Sequence, residues 1–183
     1  MLIKQLPLGQ IETNCYIVTD ENTLECAVID PGDESNVVLD YLESNHLKCK
    51  YIFLTHGHFD HTMAVPTVHE ETGATVCINE KDANLKIGSV PYEFTPPKGS
   101  IFYKEGEEYT VGSLVFHVME TPGHTPGGVC YRAGDALFSG DTRFRHGFGR
   151  TDLPGGSTRE LRRSLARLAP LLDEATLYPG HEA

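Results

Sequence analysis

Four apolar runs in this chain each lead into histidine or aspartate set among glycine or proline, and this recurrence constrains the fold more than any other feature. YIFLT at 51–55 runs into THGHFDH, which carries His56, His58, Asp60 and His61. LVFHVME at 114–120 precedes His124 in TPGHTPGG, DALFSG at 135–140 precedes Asp141, and ATLYP at 175–179 precedes His181 in PGH. A rigid sheet can aim side chains at one point from its strand ends. Glycine there lets backbone approach closely and accepts φ > 0 where needed. Imidazole suits zinc, iron and manganese, and carboxylate can bridge or tune them. His56 and His58 are two positions apart, so an extended turn turns both toward one ion. Asp60 and His61 continue into the next helix and face a second. His46, His69, His117 and His146 lack this setting. The first two fall on expected helices and read as solvated, and His117 lies inside a strand.

The rest of the chain alternates strands with a few helices. NCYIVTD and LECAVID are rich in Val, Ile and Cys and predict strands. A helix is predicted near Ser35–Asn45, with Val37, Val38, Tyr41 and Leu42 on one face and Asp33 as its cap. CKYIFLT is a short buried strand. A second helix starts near Thr62 and stops at Gly73, and ATVCIN is another strand. Leu85–Ser100, rich in Pro and Gly, reads as a loop whose Tyr92 and Phe94 make it a candidate lid. EYTVG, LVFHVME, GVCYRA and DALFSG follow as four strands turning at Gly112-Ser113 and Gly134-Asp135. Ser157 and Glu160 have capping-box spacing ahead of a Leu161, Leu165, Leu168 stripe. Two sheets packed face to face with helices outside accommodate this order.

Composition narrows the class. With 183 residues and 39% hydrophobic side chains, one domain spanning 1–183 is expected to build a sizeable core. A net charge of −11 argues against electrostatic capture of nucleic acid. No apolar stretch approaches the roughly 20 residues that span a bilayer, and MLIKQLPLGQ has no signal-peptide pattern, so a cytoplasmic protein without a membrane partner is expected. The five cysteines form no CxxC pair and read as buried free thiols.

The motifs resemble those of the metallo-β-lactamase superfamily. THGHFDH at 55–61, TPGHT at 121–125, SGDT at 139–142 and PGH at 179–181 carry the likeness, and IDPG at 29–32 adds Asp30, where that superfamily places a supporting acidic residue. The resemblance implies an α/β fold, a four-layer αββα sandwich with metals at one edge. GDTRFRHGFGRTDLPGG at 140–156 further resembles the short glyoxalase II-like hydrolases, also called hydroxyacylglutathione hydrolase-like. Position by position, the resemblance implies that His56, His58 and His124 hold one metal. It places Asp60, His61 and His181 on a second, with Asp141 bridging and Asp30 orienting a ligand histidine. Met63 stands where the family commonly has glycine, which narrows the pocket. Arg150 and Asp152 stand where glyoxalase II binds glutathione through lysine and tyrosine.

The expected cofactor is two divalent ions, zinc first, with iron or manganese as alternatives. The expected reaction is hydrolysis of a small anionic thioester by water activated between the ions, with Asp60 as a candidate proton donor to the leaving thiolate. Arg143, Arg145 and Arg150 are candidates for a cationic lip that grips substrate carboxylates. The rivals are a single-iron persulfide dioxygenase, a lactonase, a nuclease of the same fold, and a metal-binding module without catalysis.

Overall fold

The structure is a computed structural model and describes residues 1–83, 85 and 94–182. Tyr92 of the candidate lid lies outside the described residues, and Phe94 is buried against the core. The chain opens with β1 (Leu2–Leu8), β2 (Thr13–Thr19), β3 (Glu25–Ile29), α1 (Ser35–Ser44), β4 (Lys48–Phe53), α2 (Phe59–Thr62), α3 (Val65–Thr72), β5 (Thr75–Ile78), α4 (Glu80–Ala83) and β6 (Ile101–Phe102). It continues with β7 (Glu108–Val111), β8 (Leu114–Glu120), β9 (Val129–Ala133), β10 (Ala136–Gly140), β11 (Arg143–Phe144), β12 (Gly147–Phe148), α5 (Thr158–Leu168), a 3₁₀ turn (Ala169–Asp173) and β13 (Thr176–Pro179).

Two main sheets form. One has the order β1-β2-β3-β4-β5-β6 and the other β13-β10-β9-β8-β7. Pairing from β3 to β6 is parallel, which fits strands read as continuous apolar runs. The inner faces meet through aromatic rings: Phe53 of β4 lies 5.1 Å from Phe116 of β8 and 5.2 Å from Tyr131 of β9. Tyr16 of β2 lies 5.4 Å from Phe138 of β10. The outer face of the first sheet is covered by α1 and α3 through Val38, Leu42, Val65 and Val68. The outer face of the second is covered by α5 and the 3₁₀ turn, where Leu168 packs with Cys130 and Leu137. The result is the expected αββα sandwich.

Local differences have physical causes. β1 was not foreseen, because Lys4, Gln5 and Pro7 break its apolar alternation. Those residues suit the edge it occupies, where proline's missing N–H is harmless. The helix expected from Thr62 to Gly73 is α3, which starts at Val65, and a short helix, α2, precedes it. The chain breaks between them, where Ala64 N donates to Pro31 O at 3.0 Å, and Pro66 sits in the first turn of α3, the one turn that tolerates it. Asp33 does not cap α1. Glu34 takes that place with φ 44° and no side-chain bond, while Asp33 accepts from the Glu34 N–H. His46 lies just past α1, also at positive φ. All five cysteines are buried and free. Among the described residues no helix is long and apolar enough to cross a membrane.

Half of the capping box forms on α5. Ser157 Oγ accepts from Glu160 N at 3.2 Å, while the Ser157 N–H goes instead to Gly123 O in the His124 loop at 2.8 Å. Ser157→Ala should therefore cost about 1 kcal/mol in urea unfolding. A midpoint unchanged from the parent would show that the cap contributes nothing.

Candidate metal centre

All seven donors read from the sequence meet at one end of the sandwich. The chain leaving β4 carries His56 and His58 and enters α2 with Asp60 and His61. The loops after β8, β10 and β13 bring His124, Asp141 and His181. The strand ends are bonded to one another, Val129 N to Thr55 O at 2.9 Å and Gly180 N to Gly140 O at 2.8 Å. Tyr16 Oη donates to Pro179 O at 2.6 Å, which anchors the turn before His181. Gly180 is obligatory by space: a Cβ there would lie 2.3 Å from Asp141 Oδ1 and 2.9 Å from His61 Cε1.

The donors divide into two groups. Ligand atoms of His56, His58 and His124 lie within 4.8 Å of one another, and so do those of Asp60, His61, Asp141 and His181. Asp141 joins the groups, with Oδ2 3.4 Å from His124 Nε2 and 3.3 Å from His181 Nε2, and Oδ1 3.2 Å from His61 Nε2. Asp60 Oδ2 is 3.4 Å from His61 Nε2 and 3.3 Å from His181 Nε2, and accepts from Thr13 Oγ1 at 3.1 Å.

The backs of the rings are pinned. His61 Nδ1 is 2.8 Å from Asp30 Oδ2, His124 Nδ1 2.7 Å from Arg150 O, and His56 Nδ1 3.0 Å from Thr55 Oγ1. Asp30 is 1% exposed and also accepts from Thr55 N at 2.8 Å and Thr55 Oγ1 at 2.6 Å. These contacts orient each ring with Nε2 toward the centre, as the outer partners of metal-binding histidines do.

Charge follows this geometry. Burial, then the neighbouring His61, keeps His56 neutral, and burial with the His124 ring brings His58 down to about 4. Burial alone would also lower His61 and His181. The surrounding carboxylates outweigh it, raising His61 well above its ordinary value and His181 to about 9. Burial works against ionisation of Asp60, yet His61 and His181 hold it at about 2. Asp60 is thereby held as a carboxylate, the form in which it can serve as a metal ligand.

The residues fit a pair of cations. Nε2 of His56, His58 and His61 and Oδ1 of Asp141 are buried without a hydrogen-bond partner. Leaving such atoms unsatisfied costs about 1–3 kcal/mol each, and a nitrogen- and oxygen-binding cation between them removes that penalty. The family comparison agrees. Residues 8–181 match the model of the metallo-beta-lactamase superfamily.

The chain belongs to that superfamily.

Among superfamily members, the hydroxyacylglutathione hydrolase GloC of Haemophilus influenzae is 33% identical, over 99% of this chain and 91% of its own. The structure of ETHE1 from Myxococcus xanthus superposes with a TM-score of 0.85 at 34% identity, over 100% of this chain and 76% of that one. TTHA1623, solved in a di-iron-bound form, gives 0.87 at 34% identity, over 98% and 92%.

The arginines are placed differently from one another. Arg143 donates to Gly147 O at 2.7 Å inside the β11–β12 hairpin, and Arg145 donates to Leu177 O at 3.1 Å. Arg150 is exposed and binds both oxygens of Asp152, at 2.6 and 2.8 Å. None of the three lines the cavity of 220 Å³ beside Asp60, whose walls include Leu8, Ile11, Phe59, Met63 and Asp33. Met63 lines this cavity with Asp60. The sequence reading missed Asp82, a buried carboxylate between the His56–His58 turn and the His124 loop.

Proposed function

We propose that the chain is a dinuclear metal-dependent hydrolase of thioesters such as S-2-hydroxyacylglutathione. The observation that carries this reading is the double donor set sharing Asp141, with Nε2 of His56, His58 and His61 buried and without a hydrogen-bond partner. The similarity to GloC supports a thioester as the substrate class, and the di-iron form of TTHA1623 supports two ions in such a site. His56, His58 and His124 would hold one ion, Asp60, His61 and His181 the other, and Asp141 both; zinc, iron and manganese all suit these donors. Such ions supply Lewis acidity and lower the pKa of water from about 16 toward about 7.

This chain's own residues then do the following. Asp30, Thr55 and the Arg150 carbonyl face Nδ1 of His61, His56 and His124 and so aim the Nε2 of those three rings at the centre. The thiolate is a good leaving group, so no side-chain acid is required. The cavity beside Asp60 offers an apolar wall for the acyl group. One or two of Arg143, Arg145 and Arg150 would contact substrate carboxylates, exposed Arg150 first, where an anionic substrate would compete with Asp152.

The test is metal analysis of the purified protein alongside turnover of lactoylglutathione. Two ions per chain with hydrolysis are expected, and Arg150→Ala should raise KM several-fold with kcat kept. One iron per chain with oxygen uptake on glutathione persulfide would replace this reading with the dioxygenase.

A further inference from the structure

Asp82 is 1% exposed and sits on the short helix α4, far in sequence from both segments it touches. Its Oδ2 accepts from Gly57 N at 2.9 Å, the amide between His56 and His58. Its Oδ1 accepts from Gly127 N at 2.6 Å, three residues after His124. One carboxylate thus spans the two loops that supply His56, His58 and His124. The approach depends on both partners being glycine. A Cβ at Gly57 would lie 2.8 Å from Asp82 O, and one at Gly127 would lie 2.7 Å from both Asp82 N and Oδ1. Asn79 fixes the other side of the clamp: its carbonyl accepts from Asp82 N at 3.0 Å and its side chain accepts from Lys81 N at 3.0 Å. The ligands of the other group are held through different residues, Thr13 to Asp60, Asp30 to His61 and Gly140 to the turn before His181.

We propose that Asp82 is a positioning residue that sets the spacing of the His56–His58 turn and the His124 loop, and thereby the metal affinity of the three-histidine group alone. The proposal rests on those histidines being ligands. Two backbone amides held by one carboxylate leave the loops a single separation, and three ring nitrogens must converge within a few tenths of an ångström to bind one ion. Asparagine at this position keeps the size but offers one oxygen and one N–H₂ group, so one glycine amide loses its acceptor and meets a donor.

The experiment titrates the folded metal-free protein with zinc against a chromophoric chelator, with ring ¹⁵N resonances of the histidines recorded at each step. The wild type should load both groups. Asp82→Asn should weaken zinc at His56, His58 and His124 about tenfold, the lower end of what outer-shell partners of metal ligands contribute. Shifts of His61 and His181 should follow the wild-type titration. Leu42→Ala, a core truncation in α1, serves as the stability control and should leave both affinities unchanged. Wild-type affinity in folded Asp82→Asn, or equal weakening of both groups, would overturn the proposal. If Asp82→Asn does not fold, Asp82→Glu, which keeps both acceptors but displaces them by one methylene, should show the same selective loss. If neither variant folds, Asp82 determines the fold and the positioning role is wrong. A wild type in which zinc moves none of the three resonances defeats the metal reading itself, a distinct outcome.

Discussion

Asp141→Ala should lower kcat/KM for lactoylglutathione at least 1,000-fold, roughly 4 kcal/mol of transition-state stabilisation, and drop the metal content from two ions per chain to one or fewer. No other carboxylate in the centre reaches as many rings. Its oxygens lie within 3.4 Å of His61, His124 and His181 and 3.9 Å from His56 Nε2. Asp141→Asn is the sharper variant, because it preserves shape and removes only the charge and one acceptor. It should retain more stability than the alanine and still lose the second ion. Inductively coupled plasma analysis and steady-state kinetics on the same preparation read both effects. Two retained ions with more than a tenth of the activity would remove Asp141 from the bridging role.

Asp30→Ala should destabilise the metal-free protein by at least about 4 kcal/mol. The arithmetic is local. Three buried donors, Thr55 N, Thr55 Oγ1 and His61 Nδ1, lose their acceptor, and each unsatisfied group costs about 1–3 kcal/mol. The residue also sits at φ 53°, where alanine pays about 1–2 kcal/mol and asparagine less. Asp30→Asn should therefore fall between the two, keeping the backbone geometry while presenting a donor where an acceptor is needed. Urea unfolding measures the loss, and zinc competition should show weakened binding at the His61 group in both variants. A loss under 1 kcal/mol for the alanine would mean that water or a neighbour takes over these bonds.

What could be read from the sequence follows from where its constraints are local. A histidine or aspartate in the turn after an apolar strand is visible as a string, so the seven side chains that the fold brings together could be picked out, and the likeness of IDPG added Asp30. β2, β3 and β10 were visible because their apolar runs are buried almost throughout, whereas two-residue β6 is too short to leave a pattern. Edge strand β1 was hidden because an edge needs no continuous apolar run, and Lys4 and Pro7 suit it. The α2–α3 break was hidden because a tertiary bond from Ala64 N to Pro31 O makes it. Asp82 was hidden for the same kind of reason. In EKDA it looks like a solvated helix residue, and only the approach of Gly57 and Gly127 turns it inward. The Arg150–Asp152 pair is two positions apart and exposed, so neither its formation nor its strength is encoded in spacing.

Four of the donors, His56, His58, Asp60 and His61, lie on the first sheet's connection out of β4, and His124, Asp141 and His181 hang from β8, β10 and β13 in the second sheet. No fragment of the chain short of nearly the whole can gather them. Ions bound by the whole set would clasp the two sheets together, so full metal uptake would report correct docking of the two halves.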